Sequence, residues 1–325
     1  MSMLVAGAAR ATIGSRATQE DSFQLWPPAA SALVTKGEEL LCIVADGMGG
    51  HAAGEVAAGL AAQAFVESFA TDTRGNDERL GASLEKSNAA IAARSNDDGN
   101  TRGMGCTLVA AAIDGRGVTW VSVGDSLLLL YRHPNVLRLN ADHSLGAFLD
   151  EQVRRNALTE REAQRNPHRH ALRSALTGKE LDLIDLEADP YELQDGDWLL
   201  LASDGIASLT GDEIGDIAYA NKDAQPQVMA DRLVEAVVGK GRIDQDNTTV
   251  VAVRVTKIAV EVDPSEAPTR IKQAAPEGGE VSSLAELPTR RVLLPAASAG
   301  VGLANLPMVI ACVCAVAAAL IIWLV

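Results

Sequence analysis

The sequence predicts a layered α+β domain followed by one membrane-spanning helix. Short runs rich in Val, Leu and Ile alternate with turn residues, two long helical stretches lie together, and the last 20 residues are almost wholly apolar. Some of the strand-like runs are joined by hairpin-length links, and the long helices do not alternate with them. This order favours a layered α+β domain over a regular βαβ repeat.

Six runs are predicted to be strands because each is apolar, short and bounded by Gly, Asp or Asn. They cover residues 40–46, 107–113, 118–125, 127–132, 197–204 and 247–255.

The helical predictions come from the spacing of the apolar residues. Residues 55–70 repeat small and apolar side chains with no breaker after Gly59, and residues 80–94 place leucine, alanine and isoleucine at helical intervals. A further helical insertion is expected within 147–176, where Thr159 and Glu162 have the spacing of a capping box.

The chain divides into three predicted parts. Residues 1–257 form the domain, 258–305 a flexible linker, and 306–325 a transmembrane helix. The linker is inferred from five prolines, mixed charge and few aromatic residues between positions 263 and 295.

The C-terminal segment carries no charged side chain after Arg291. A helix of 20 residues is about 30 Å long, which matches the hydrocarbon thickness of a bilayer. A buried core helix is the alternative interpretation. Since Arg290 and Arg291 precede the segment and no Lys or Arg follows it, the positive-inside rule predicts a single-pass protein with its domain on the cytoplasmic side.

Charge and cysteine content exclude some classes of function. The chain has 28 Lys and Arg against 43 Asp and Glu, a formal net charge of −15, and so lacks the basic surface that non-specific nucleic-acid binding needs. Its four cysteines show no disulfide framework and no CxxC metal pattern, which fits a reducing compartment.

Acidic residues recur where predicted strands end or begin. Asp46 and Asp204 each end an apolar run and precede a glycine, Asp125 lies in "VSVGDS", and Asp246 stands just before the last strand. A single Asp-Gly pair is an ordinary turn. Four such acids in one domain would repel one another unless cations neutralise them, and their hard oxygen ligands favour Mg²⁺ or Mn²⁺.

Eight motifs resemble, in order and spacing, those of the metal-dependent type 2C Ser/Thr protein phosphatases. The resemblance covers about residues 8–256 and implies a β-sandwich of two antiparallel sheets flanked by helix pairs. The motifs are "RATQED" (16–21), "DGMGGHAAGE" (46–55), "GMGCTLV" (103–109), "VGDS" (123–126), "DHS" (142–144), "HRHALRSALTG" (168–178), "GDWLLLASDG" (196–205) and "DNTTVVAV" (246–253).

The resemblance implies a metal site at matching positions. Asp46 would bridge two divalent ions, with the Gly47 carbonyl as a ligand of one of them, and Asp21 would support the site from behind. Asp125, together with Asp204, matches the acids that hold a third ion in bacterial members. The remaining ligands of the pair, directly or through water, would be Glu20, Asp204 and Asp246.

The chemistry implied is attack on phosphorus by a hydroxide that bridges the two metals. Arg16 matches the family's phosphate-binding arginine, and its planar guanidinium suits two phosphate oxygens. Some members carry a general acid two residues after the bridging aspartate, where this chain has Met48. The general-acid role therefore does not transfer by position; His51 is a candidate for it, and a purely structural role for His51 stays open.

The predicted function is a membrane-tethered phosphatase that hydrolyses phosphoserine and phosphothreonine in proteins. Its expected partners are phosphorylated proteins and a cognate Ser/Thr kinase, with no nucleic acid. Two alternatives share the fold: a catalytically silent module that binds phosphoproteins, and a hydrolase of small phosphate monoesters. A silent module would be expected to have lost one of the acids, and none is missing here.

Overall fold

Two antiparallel sheets stack face to face in the computed structural model, which describes residues 2–28, 31–34, 39–49 and 53–258. The first sheet has the order β3-β1-β12-β11-β8-β9, and the second β10-β7-β6-β4-β2 with the short β5 beside β4. The strands are β1 (Ser2–Thr12), β2 (Asp21–Trp26), β3 (Ser31–Val34), β4 (Leu40–Met48), β5 (Gly105–Cys106), β6 (Leu108–Asp114), β7 (Gly117–Val123), β8 (Leu127–Arg132), β9 (Asn135–Arg138), β10 (Asp185–Tyr191), β11 (Trp198–Ala202) and β12 (Thr248–Ile258).

Helices cover the outer face of each sheet. The first two pack on β4 and its neighbours, and the last two pack on the other sheet, where α6 contacts β1 and β12. The helices are α1 (Ala53–Thr71), α2 (Asn76–Asp97), α3 (Leu145–Arg154), α4 (Glu160–Arg165), α5 (Gly211–Ala220) and α6 (Pro226–Gly239).

The central strands are continuous apolar runs because both of their faces are buried. In β4, Cys42 and Val44 point between the sheets, whereas Leu41 and Ile43 pack against α1 and α2. Since successive side chains of a strand point to opposite faces, a layer with helices on one side and a sheet on the other leaves no exposed face for polar residues. The prediction of a layered α+β sandwich is confirmed.

All six predicted strands are present, with ends that differ by a few residues. Both long helices begin and end slightly outside the predicted ranges. The Thr159–Glu162 capping box forms at the start of α4. The helical prediction for 147–176 was too broad, because only α3 and the six-residue α4 are helical there and the return through 166–176 is extended or turn.

None of the helices within the described ranges is long and apolar enough to cross a membrane. The predicted linker and the predicted transmembrane helix lie outside the described residues, apart from Ile258 at the end of β12.

Candidate active site

Strand register brings the predicted acids to one end of the sandwich. Asp21, at the start of β2, is directly opposite Asp46 near the end of β4. Ala202, the last residue of β11, is opposite Val250 of β12 and Leu127 of β8. Because neighbouring strands are antiparallel, the residues after β11, before β12 and before β8 meet at the same edge.

The acids surround one open cavity of about 500 Å³. Four of the five acids come from different connections and Asp46 comes from β4, so no local sequence pattern alone brings them together. The lining of this cavity includes Arg16, Glu20, Asp46, Gly47, Thr107, Asp125, His170, Leu172, Asp204, Asp246 and Asn247.

The backbone at Asp46 is fixed by its neighbours. The Asp46 N–H donates to Thr107 Oγ1 at 3.2 Å, and its carbonyl accepts from the Thr107 N–H at 2.9 Å. Gly47 donates its N–H to the Glu20 carbonyl at 3.1 Å. A Cβ on Gly47 would lie 2.1 Å from the Gly54 carbonyl oxygen, so only glycine allows this approach.

Asn247 holds the segment that carries Arg16 and Glu20. Its side-chain Nδ2 donates to the carbonyls of Ile13 at 2.8 Å and Thr18 at 3.0 Å, and its Oδ1 accepts from the Glu20 N–H at 2.7 Å. The residue is 5% exposed. One buried amide therefore ties the N-terminal loop to the start of β12.

Arg16 lies at the rim of the cavity. Its side chain is 57% exposed and its Nη2 forms an ion pair with Asp246 Oδ2. An exposed pair of this kind contributes little to stability, so the guanidinium can exchange its carboxylate partner for another anion at small cost. This placement is compatible with the predicted phosphate-binding role.

The carboxyl groups lie close together and are buried, which favours their neutral, protonated form. Burial raises the pKa of Asp46 well above its usual range, and the nearby Asp21, Asp204 and Asp125 raise it further. Burial also raises the pKa of Asp125 to about 7. For Asp204, burial and Asp246 raise the pKa, while a hydrogen bond with Asp46 partly opposes them. Such repulsion is relieved when cations bind.

Asp21 lies behind the site and is only partly satisfied. Ser203 Oγ donates to its Oδ2 at 2.7 Å, whereas its Oδ1 is buried with no hydrogen-bond partner among the described residues. Burial raises the pKa of Asp21 to about 6. An orphaned carboxylate oxygen beside five further acids is the donor chemistry of a hard divalent cation, so the residues present fit Mg²⁺ or Mn²⁺.

A second cavity of about 360 Å³ adjoins the first and shares Asp125, His170, Asp204 and Asp246 with it. Asp125 therefore stands between the two cavities, where the resemblance implies a third ion. Within the described ranges, no group of three or more His, Cys, Asp or Glu side chains is already placed so that it could hold a metal ion.

Sequence reasoning missed several residues that shape the site. Asn247, Ser203 and Thr107 were not assigned roles, although each is a polar residue in or beside an apolar strand. His170 lies within the motif at 168–178 but was given no role, yet it lines both cavities. His51, the candidate general acid, lies outside the described residues.

Comparison with known proteins identifies the family. The protein phosphatase 2C profile matches residues 11–237. Serine/threonine protein phosphatase PstP of Mycobacterium tuberculosis is 34% identical over 242 residues, which cover 74% of this chain and 43% of that protein. Serine/threonine phosphatase stp of Listeria welshimeri is 31% identical over 224 residues, covering 67% of this chain and 85% of that protein.

Solved structures show the same relationship. The crystal structure of M. tuberculosis PstP/Ppp matches with a TM-score of 0.63 and 32% identity, over 78% of this chain and all of that one. A structure of the PstP catalytic domain in complex with two manganese ions matches at 0.62 with 30% identity, again over 78% of this chain and 100% of that chain. The chain belongs to the protein phosphatase 2C family.

Proposed function

We propose that this chain dephosphorylates phosphoserine and phosphothreonine in proteins, using two Mg²⁺ or Mn²⁺ ions. The observation that carries the proposal is the gathering of Glu20, Asp46, Asp204 and Asp246 around one cavity with Arg16 at its rim. The chain spans 43% of the length of its M. tuberculosis relative, so the activity is inferred for the domain that the two proteins share.

The proposed ligands are the carboxylates of Glu20, Asp46, Asp204 and Asp246, with the Gly47 carbonyl. Asp125 adds a ligand for a third ion. Bound divalent ions supply a Lewis acid that activates water at neutral pH and neutralises charge on phosphate.

The other roles fall to side chains of this protein. Arg16 binds phosphate oxygens through charge-assisted hydrogen bonds, and its guanidinium is kept at the rim by Asp246. Asn247 fixes the loop from which Arg16 projects. Asp21 supports the metal edge from behind, where Ser203 orients it.

The test is release of phosphate from a phosphothreonine peptide by the full chain, with Mn²⁺ or with EDTA. Turnover should require metal and should be lost in Asp46→Asn, because this variant removes a carboxylate that would hold the metal. Asp231→Asn, a half-buried aspartate on α6, is the matched control and should keep activity. Binding of Mn²⁺ without turnover would favour the silent binding module. Turnover of small phosphate monoesters alone would favour the hydrolase of small phosphate monoesters.

We also propose that residues 306–325 anchor the protein to a membrane, with the phosphatase domain on the cytoplasmic face. The support is the uncharged C-terminal sequence and the two arginines before it. A membrane-associated Ser/Thr kinase or its substrates would be the natural counterpart. Fractionation of the full chain beside a chain ending at residue 295 tests the anchor, and equal recovery of both in membranes would refute it.

A further inference from the structure

A segment of opposite charge lies beside the cavity of a strongly acidic protein. Residues 145–176, here called the flap, contain six arginines and two histidines against four Asp and Glu. The rest of the chain has 22 Lys and Arg against 39 Asp and Glu. Positive charge is therefore concentrated at one place on an otherwise acidic protein.

The two arms of the flap are joined to each other at its start, and its end is fastened to β5 next to the site. Leu145 donates its N–H to the Ala171 carbonyl at 2.8 Å, and Gly146 donates to the Arg169 carbonyl at 2.7 Å. At the other end, Cys106 and Leu176 exchange backbone hydrogen bonds of 3.0 and 2.9 Å. This return segment, 166–176, brings His170 and Leu172 into the lining of the cavity that holds the acids.

The four acids of the flap are already engaged within it. Asp150 pairs with Arg169, and Glu151 pairs with both Arg154 and Arg155. The other two are engaged by neutral partners, since Glu162 accepts in the capping box of α4 and Glu160 accepts from Gln164.

Three exposed arginines keep their charge unmatched. Within the part of the chain that the structure describes, Arg161, Arg165 and Arg173 form no ion pair. Arg173 lies over the Phe148 ring, 4.6 Å from its centroid, and directly follows the cavity-lining Leu172. Their guanidinium groups are free to meet an external anion.

We propose that the flap selects phosphoproteins with acidic residues around the phosphorylated site, through Arg161, Arg165 and Arg173. This inference rests on the proposed phosphatase function. A peptide whose phosphate enters the cavity passes His170 and Leu172, so its flanking residues meet the flap, and charge complementarity sets specificity and encounter rate there. The net charge of the whole protein would select the opposite, a basic substrate.

The test compares three phosphothreonine peptides of equal length with Glu, Gln or Lys around the phosphorylated residue, using the full chain with Mn²⁺. At low salt, kcat/KM for the Glu peptide should exceed that for the Gln peptide by about tenfold, and the ratio should shrink as salt screens the charges. In Arg161→Gln/Arg165→Gln, and separately in Arg173→Gln, the ratio should fall by about threefold or more.

The matched control is Arg10→Gln/Arg232→Gln, which removes the same charge from exposed residues of β1 and α6 and should leave the ratio unchanged. Turnover of all three peptides with equal kcat/KM, or preference for the Lys peptide, would overturn the inference while leaving the phosphatase intact. No turnover of any peptide would overturn the phosphatase proposal and this inference with it. If the flap arginines were needed for binding to anionic vesicles but gave no preference among the peptides, the flap would be a lipid-binding surface and this inference would be overturned too.

Discussion

Replacing Asn247 by alanine should loosen the loop that presents Arg16. The change removes three hydrogen bonds, to the Ile13 and Thr18 carbonyls and from the Glu20 N–H. At roughly 1 kcal/mol net for each bond, the free energy of unfolding should fall by about 3 kcal/mol. For a domain of this size, that loss lowers the melting midpoint by about 6–12 °C.

The same variant should also lose activity, because a freed loop no longer positions Arg16 and Glu20. A displacement of about 1 Å at a positioning group can cost about a hundredfold in rate. The assays are thermal unfolding in EDTA, which reports the loop without bound metal, and kcat/KM on a phosphothreonine peptide with Mn²⁺.

Gln227→Ala is the control, since this side-chain amide makes exposed hydrogen bonds to the Ala9 carbonyl and to Asp231. It should shift the midpoint by about 1–2 °C at most, because surface substitutions rarely change stability by more than about 0.5 kcal/mol. If the two variants unfold at the same temperature, the buried amide does not hold the loop and the reasoning is refuted.

Three further predictions concern stability. Gly205→Ala should lower the free energy of unfolding in urea by about 1–3 kcal/mol, because its Cβ would lie 2.0 Å from a backbone carbonyl oxygen. Gly211→Ala is the control and should be tolerated, because the space around Gly211 is open. In EDTA, the free energy of unfolding should fall as pH rises between 3.8 and about 7, since folded Asp125 retains a proton that the unfolded chain has released. In Asp125→Asn the free energy of unfolding should depend less steeply on pH, and an equal dependence in both proteins would contradict this. Asp197→Asn should lower the free energy of unfolding in denaturant by about 3 kcal/mol, because buried Asp197 accepts two hydrogen bonds from Arg132 at 2.9 and 2.7 Å. Phosphatase activity of this variant at low temperature should persist.

Sequence patterns predicted the strands that are buried on both faces, because their apolar runs are continuous. They did not predict β1, whose run is interrupted by Gly7 and Arg10, or β10, which contains three acids and a proline. Strands of this kind are stabilised by pairing with a neighbour, as β1 pairs with β12 along eleven residues, and such long-range pairing leaves no local pattern.

The sequence by itself determined the family, the layered α+β architecture and the acids that approach the cavity. An acid beside glycine at a strand end is unusual enough, when repeated, to be recognised without coordinates. Tertiary structure alone decided which residues support those acids. Asn247 contacts Ile13 from 234 positions away, and Ser203 contacts Asp21 across 182, so strand register and not sequence proximity creates both contacts.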